Sequence, residues 1–421
     1  MVETGRGRTT VTRGEGQNGP VGDDGQGAAG GPLAGIKVMD LAIAATGPYA
    51  ATMLADQGAE VIKVERLGIG DIARYVGVQI DGISALFQLC NRGKRSIAVD
   101  LSVEAGRDVV RALAADCDVV IQNWRPGVAD RLGVGYEDVR RDDLVYVSIS
   151  GFGDVGPKAD RGAYDTVIQA QAGMGHAQAD PDTGEPAFVR QVIADKVTAL
   201  TAAQAVTAAL LARERGHGGQ HLRLSMLEAV VAFLWVDAAG NEVLRDGDGS
   251  QPGSFSAGAR PIAFEDGWGM VTPTSDADFF GMCRAFGVEG HDDPGLASPT
   301  LRQQNADLTR AIVGRCWAAA AALTVADASS RLEAERVPYG ILVSPADLAD
   351  DPQAVALELL VDSHHPVAGA IRQPRHPTRF EGTPARVGGP SPSLGQHTDE
   401  LLAEAGLADR IVELRAAGVV G

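Results

Sequence analysis

Among the residues of this chain that could do covalent chemistry, one carboxylate stands out. Asp195 lies in FVRQVIADKVTALTAAQAVTAALLARERG, residues 188–216. An apolar, strand-like run from Phe188 to Ala194 delivers it directly before a long apolar helix. From Val197 to Leu211 nearly every side chain is Ala, Val, Leu or Thr, which predicts a buried helix. Burial strips water from a carboxylate and raises its pKa unless hydrogen bonds or the helix N-terminus offset the change. It also leaves the group more nucleophilic. On this stretch alone a plain helix N-cap explains Asp195 better than catalysis does, because Asp is a preferred capping residue. The rest of the chain reverses that order.

The elements that must position Asp195 begin after a polar, Gly-rich N-terminus. Residues 1–31 hold almost no large apolar side chain, so they cannot offset the entropy of ordering and read as a disordered tail. From Pro32 short apolar strands alternate with helices. GIKVMDLA (35–42), AEVIKVER (59–66), RSIAVDL (95–101), CDVVIQN (117–123) and LVYVSISGF (144–152) are the strands. Between them lie TGPYAATMLADQGAE, with Pro48 in a first helical turn and Gly58 at the stop, and SVEAGRDVVRALAADC, with Ser102 as N-cap. Such alternation predicts an α/β protein with a parallel sheet covered on both faces.

A sheet of that kind binds ligands beyond the carboxyl ends of its strands. Lys63, Glu65 and Arg66 fall at the end of the second strand, and Asn123 and Trp124 at the end of the fourth. No GxGxxG follows the first strand, which argues against a dinucleotide cofactor. After the Asp195 helix come a turn, a strand and another buried helix in HGGQHLRLSMLEAVVAFLWVDA. Residues 236–260 read as a linker. Residues 261–341 read as a smaller α+β domain, with a hairpin at Asp266-Gly267 and helices in DADFFGMCRAFG, NADLTRAIVGRCWAAA and VADASSRLEAERV. Residues 342–421 return to extended segments and a final helix.

Composition narrows the function further. Of 421 residues, 37 are Lys or Arg and 55 are Asp or Glu, a net charge of −18 that argues against nucleic acid or an anionic membrane as a partner. An anionic ligand therefore needs a local basic pocket. Four scattered cysteines, Cys90, Cys117, Cys283 and Cys316, lack metal-ligand spacing and fit reduced core thiols in a cytoplasmic protein. No apolar run approaches the ~18 residues of a membrane span, and no secretion signal is visible.

LAGIKVMDL, GPYAATMLADQGAEVIKVE, NRGKRSIAVDL, DVVIQNWRPGVADRLG, VSISGFG, AYDTVIQAQAGMG, ADKVTAL, GHGGQHLRLSM, PYGILVSPADLADDP and LGQHTDELL occur in this order from about Leu33 to the C-terminus. Together they resemble the family III CoA-transferases, the group that includes formyl-CoA transferase, the carnitine CoA-transferases and the α-methylacyl-CoA racemases. The resemblance implies that Asp195 is the carboxylate that becomes acylated. It implies contacts to coenzyme A from Arg66, Asn123, Trp124 and Arg131, with the Trp124 ring covering the adenine. Lys63, Arg74, Lys94 and Arg95 are further cations that could face its phosphates. Tyr164 and Asp165 are implied at the acyl group. Gly162 stands where some members carry a lysine, and Ala45 where some carry a glutamine. Racemases of the group carry a histidine base where this chain has Tyr164, and a phenol with pKa near 10 is a poor base for an α-proton at neutral pH. CoA transfer from an acyl-CoA thioester to a carboxylic acid is therefore expected, with oxyanion donors from the GFG turn at 151–153 or from GSFSAG (253–258). A 2-methylacyl-CoA racemase and a non-catalytic acyl-CoA-binding relative are the alternatives. No metal and no permanently bound cofactor is expected. The implied fold is a Rossmann-like large domain built from both chain ends plus a small domain, in an interlocked-ring homodimer.

Overall fold

A computed structural model describes residues 30–180, 182–247, 254, 256 and 259–421. The polar tail, except Gly30 and Gly31, and most of GSFSAG lie outside the described residues. Six parallel strands form the main sheet: β1 (Lys37–Asp40), β2 (Glu60–Arg66), β3 (Arg95–Val99), β4 (Val119–Gln122), β5 (Val145–Ser150) and β6 (Gln220–Ser225). Their spatial order is β3-β2-β1-β4-β5-β6. In that order the chain reverses its direction of travel between β1 and β4, and the crevice beyond their carboxyl ends is the natural ligand site. The register pairs Asp40 with Lys63 across β1 and β2, so two opposite charges end side by side at this crevice.

Period-two alternation divides the strand residues between two cores. Val38, Val61, Val119 and Val145 face helices α1 (Thr46–Asp56) and α6 (Ile193–Ala212), where Ala50, Leu54, Ala199, Ala202 and Val206 complete one core. Their neighbours Met39, Ile62, Val120 and Tyr146 face the other side. There they meet Val109, Val110 and Leu113 of α3 (Glu104–Ala114). The same core takes Leu401 and Leu402 of helix α11 (Thr398–Glu404) and Leu414 of α12 (Ile411–Ala416). The chain's last residues bond to the sheet edge, with Asp100 N donating to Val419 O at 2.8 Å and Gly421 N to Ala98 O at 3.1 Å. A separate core gathers around a three-stranded antiparallel sheet of β7 (Ile262–Ala263), β8 (Trp268–Val271) and β9 (Tyr339–Ile341). It includes Phe279 and Met282 of α8 (Asp276–Ala285), Cys316 of α9 (Ala306–Ala320) and Leu332 of α10 (Val325–Ala334). All four cysteines are free and buried. Among the described residues no helix is long and apolar enough to cross a membrane.

Three local expectations need correction. Phe188–Val192 is not a strand; its backbone is held by a side chain, as Gln169 accepts from Val189 N at 3.1 Å and donates to the carbonyls of Val189 and Gln191. Ser102 is not the cap of α3, because its N–H is taken by Asp100 Oδ1 at 2.9 Å and the helix starts later, at Glu104. The Asp195 helix is not buried all round: it packs against the sheet and neighbouring helices but leaves one side open. Leu200 and Leu211 on that side are 58% and 51% exposed in the single chain.

Candidate active site

Asp195 is the third residue of α6, inside its first turn rather than at its cap. The capping group is Asp165, the first residue of the short helix α5 (Asp165–Gln171). Asp165 Oδ2 accepts from Ala194 N at 2.7 Å and Asp195 N at 3.1 Å, while Oδ1 accepts from Gln169 Nε2 at 2.5 Å. The two N–H groups would otherwise lack partners, as the first donors of any helix do. Asp165 is buried, with Oδ2 committed to the helix start and Oδ1 to Gln169, so neither oxygen is left over for the acyl contact expected of it. Tyr164, beside it, is 78% exposed.

A second helix start meets the first here. Thr46 opens α1, is buried, and its hydroxyl donates to Asp195 Oδ1. The loop that delivers Thr46 is tightly built. Ala44 has φ +65, the left-handed region that an L-residue enters only when its surroundings enforce it. Gly47 is required sterically, since a Cβ there would lie 2.2 Å from that of Ala42. Ala42 N donates to Asp40 Oδ1 at 2.9 Å, and Ala44 N to Asp71 Oδ1 at 2.8 Å. Lys63 donates to Ala42 O, and Lys94 Nζ to Pro48 O at 2.8 Å. Asn123 clamps Ile43 from both sides, accepting from its N–H and donating to its carbonyl, each at 2.8 Å.

Beneath the loop the charges compensate one another. Lys63 Nζ lies 2.9 Å from Asp71 Oδ2 and 3.6 Å from Asp40 Oδ2, and Lys94 Nζ lies 2.8 Å from Asp40 Oδ2. Burial works to lower the Lys63 pKa, but Asp40 and Asp71 outweigh it and hold the ammonium charged. Arg74 pairs with Glu65 at 2.7 Å, and Arg95 with Glu60, Glu400 and Glu404. The expectation that Lys63, Arg74, Lys94 and Arg95 face phosphates is therefore corrected: each is committed to a protein carboxylate.

Among the described residues no cation pairs with Asp195. Burial pushes its carboxyl up to about 6, against the Thr46 hydrogen bond, with the nearby Asp165 charge adding to the rise. A carboxylate so placed is still ionised at pH 7, yet it is poorly solvated and more basic than a surface aspartate.

Near the loop, at the carboxyl ends of the strands, lies a cavity of about 590 Å³. Ile43, Arg66, Gly70, Asp100, Ser102 and Trp124 are among its lining residues. Arg66 is exposed and has no ion pair among the described residues. Arg131 is exposed on α4 (Val128–Arg131), whose Val128 also lines the cavity. Gly162 has a neighbour that sequence reading missed: a Cβ there would sit 2.9 Å from Arg125 Nη2. The GFG turn offers less than expected, because Gly153 N already donates to Ser150 Oγ at 3.0 Å.

The structure thus brings together a parallel sheet with a crevice at its switch point, an exposed arginine on that crevice's lining and a desolvated aspartate where two helices start. Residues 33–398 match CoA-transferase family III, and the chain belongs to that family. It is 32% identical over 398 residues to the succinyl-CoA:glutarate CoA-transferase of Mus musculus, covering 92% of this chain and 90% of that one. It is 33% identical over 391 residues to the succinate–glutarate CoA-transferase of Agrobacterium fabrum, covering 89% and 95%. A CAIB/BAIF family protein from Brucella suis superposes with a TM-score of 0.76 at 32% identity, covering 89% of this chain and 99% of that one.

Proposed function

We propose that this enzyme moves CoA from an acyl-CoA thioester to a carboxylic acid through covalent intermediates on Asp195. The observation that carries the reading is the ionised, poorly solvated Asp195 carboxylate at the start of two helices. Asp195 attacks the thioester carbonyl, giving a mixed anhydride and CoA thiolate. The thiolate then attacks the aspartyl carbonyl, releasing the donor acid and leaving an aspartyl-CoA thioester. The acceptor carboxylate attacks that carbon in turn, forming a second anhydride and freeing the thiolate. Attack of the thiolate on the acceptor's acyl carbon releases the new acyl-CoA and restores Asp195.

Arg66 and Arg131 bind the CoA phosphates, and Trp124 covers the adenine. Asn123 contributes by fixing the Ile43 loop, and Asp165 by holding the start of α6. The relatives' names support short dicarboxylic acids as the first acceptors to try. Tyr164 contacts the acyl group from its exposed position. Residues 32–235 with 342–421 make the large domain and 261–341 the small one, across a linker at 236–260. Exposed Leu200 and Leu211, with Phe233, Trp235 and Val236 on helix α7 (Met226–Ala238), support a second copy covering this face in an interlocked homodimer. Four buried free thiols support a cytoplasmic location.

The test is incubation of the enzyme with succinyl-CoA and glutarate in deuterated water. Glutaryl-CoA without deuterium at the α-carbon is expected. Deuterium wash-in without CoA transfer would favour the racemase.

A further inference from the structure

Thr46 is unused by its own helix, since no side chain caps α1, and its buried hydroxyl has one partner among the described residues, Asp195 Oδ1. That contact fixes which oxygen reacts. Oδ1 is hydrogen-bonded, so Oδ2 is the freer nucleophile and becomes the ester-type oxygen of the first anhydride. Oδ1 is then the carbonyl oxygen on the carbon that the CoA thiolate, and later the acceptor carboxylate, must attack. Each attack places a full negative charge on Oδ1, beside the hydroxyl already pointing at it.

We propose that the Thr46 hydroxyl is the oxyanion donor for every step that occurs at the aspartyl carbon. This rests on the covalent reading above and adds a residue to it. In each such step the incoming sulfur or oxygen forms a bond to Asp195 Cγ, and the C=O pair moves onto Oδ1. The pair returns as the carboxylate or thiolate leaves, so the Thr46 proton stabilises charge without being transferred. The donor needs to be held before the charge develops. The loop provides this through six bonds to its backbone, two of them from Asn123 to Ile43. Asp40 and Asp71 accept from the N–H groups of Ala42 and Ala44, while Lys63 and Lys94 donate to the carbonyls of Ala42 and Pro48. The left-handed turn at Ala44 is what this bracing maintains.

The test loads Asp195 with CoA from an acyl-CoA donor, then mixes it with acceptor acid and follows discharge by rapid quench and mass spectrometry. Thr46→Val, which keeps the shape and removes the hydroxyl, is expected to slow loading and discharge together by about 10²-fold. Thr46→Ser should recover most of that rate, and acyl-CoA affinity should be unchanged in both. The acid limb of the loading rate should also move to higher pH in Thr46→Val, since the hydrogen bond holds the Asp195 carboxyl down. Discharge at the wild-type rate in Thr46→Val, or in Thr46→Ala if the valine variant fails to fold, would overturn the inference. A wild-type enzyme that never acquires the adduct would overturn the covalent reading itself, and the two results are told apart by the wild-type lane.

Discussion

The surroundings of Asp195 and the cavity lined by Arg66 are built on opposite plans. Around Asp195 nearly every polar group is already bonded: Thr46 to Asp195, Asp165 to two helix N–H groups, and Asp40, Asp71, Lys63 and Lys94 to the loop and to one another. Arg66, on the cavity lining, and Arg131, on α4, are exposed and carry no ion pair among the described residues. The surroundings of Asp195 are preorganised, so little reorganisation is left for the moment of reaction. On the reading proposed above, Arg66 and Arg131 gain their contacts only when ligand arrives, and those contacts serve ground state and transition state alike.

Breaking the first plan should be the costlier change. Lys63→Met leaves the buried Asp71 carboxylate without its cation, while Asp40 keeps Lys94, and a broken buried pair costs about 3–5 kcal/mol. Urea unfolding should show a loss of this size, and a variant as stable as wild type would contradict the view of the network as a mutual balance.

Asp195 offers a change of opposite sign. Burial lifts its carboxyl to about 6 in the folded protein, against the ordinary aspartate value of about 3.9 in the unfolded chain. Between those values the folded state binds more protons than the unfolded one, so stability falls as pH rises through this window. Above it the ionised group costs up to about 3 kcal/mol. Asp195→Asn, which cannot ionise, should therefore be inactive yet more stable than wild type at pH 8, with the gap closing toward pH 4. Thermal unfolding at the two pH values checks this.

Arg66→Ala probes the second plan and should act on binding alone. Loss of a charge-assisted phosphate contact of about 1.5–3 kcal/mol raises KM for acyl-CoA by roughly 10–100-fold with kcat nearly unchanged. A fall in kcat of the same size would place Arg66 in the chemistry.

Much of this was legible in the chain. Strand and helix alternation predicted the parallel sheet, and the polar residues closing β2 and β4 marked the crevice. Asp195 reads better as a helix cap on its own stretch and is singled out for catalysis by the family resemblance; the structure puts it in the first turn of α6, with Asp165 as the cap. What stayed hidden were partners distant in sequence. Thr46 and Asp195 are 149 positions apart, and nothing in either segment announces the other. Lys63 and Lys94 looked like ligand-binding cations because sequence gives charge but not burial. Phe188–Val192 looked like a strand because apolar patterning cannot reveal that Gln169 supplies the hydrogen bonds a neighbouring strand would have given.

The measurement that bears most directly on the account is intact-protein mass spectrometry after incubation with short acyl-CoAs, followed by peptide mapping with hydroxylamine or borohydride cleavage. A CoA-bearing adduct on the peptide that holds Asp195, discharged by acceptor acid and absent in Asp195→Ala, is the predicted result. Acyl-CoA binding and CoA transfer with no adduct on wild type, or with an adduct that survives Asp195→Ala, would contradict it.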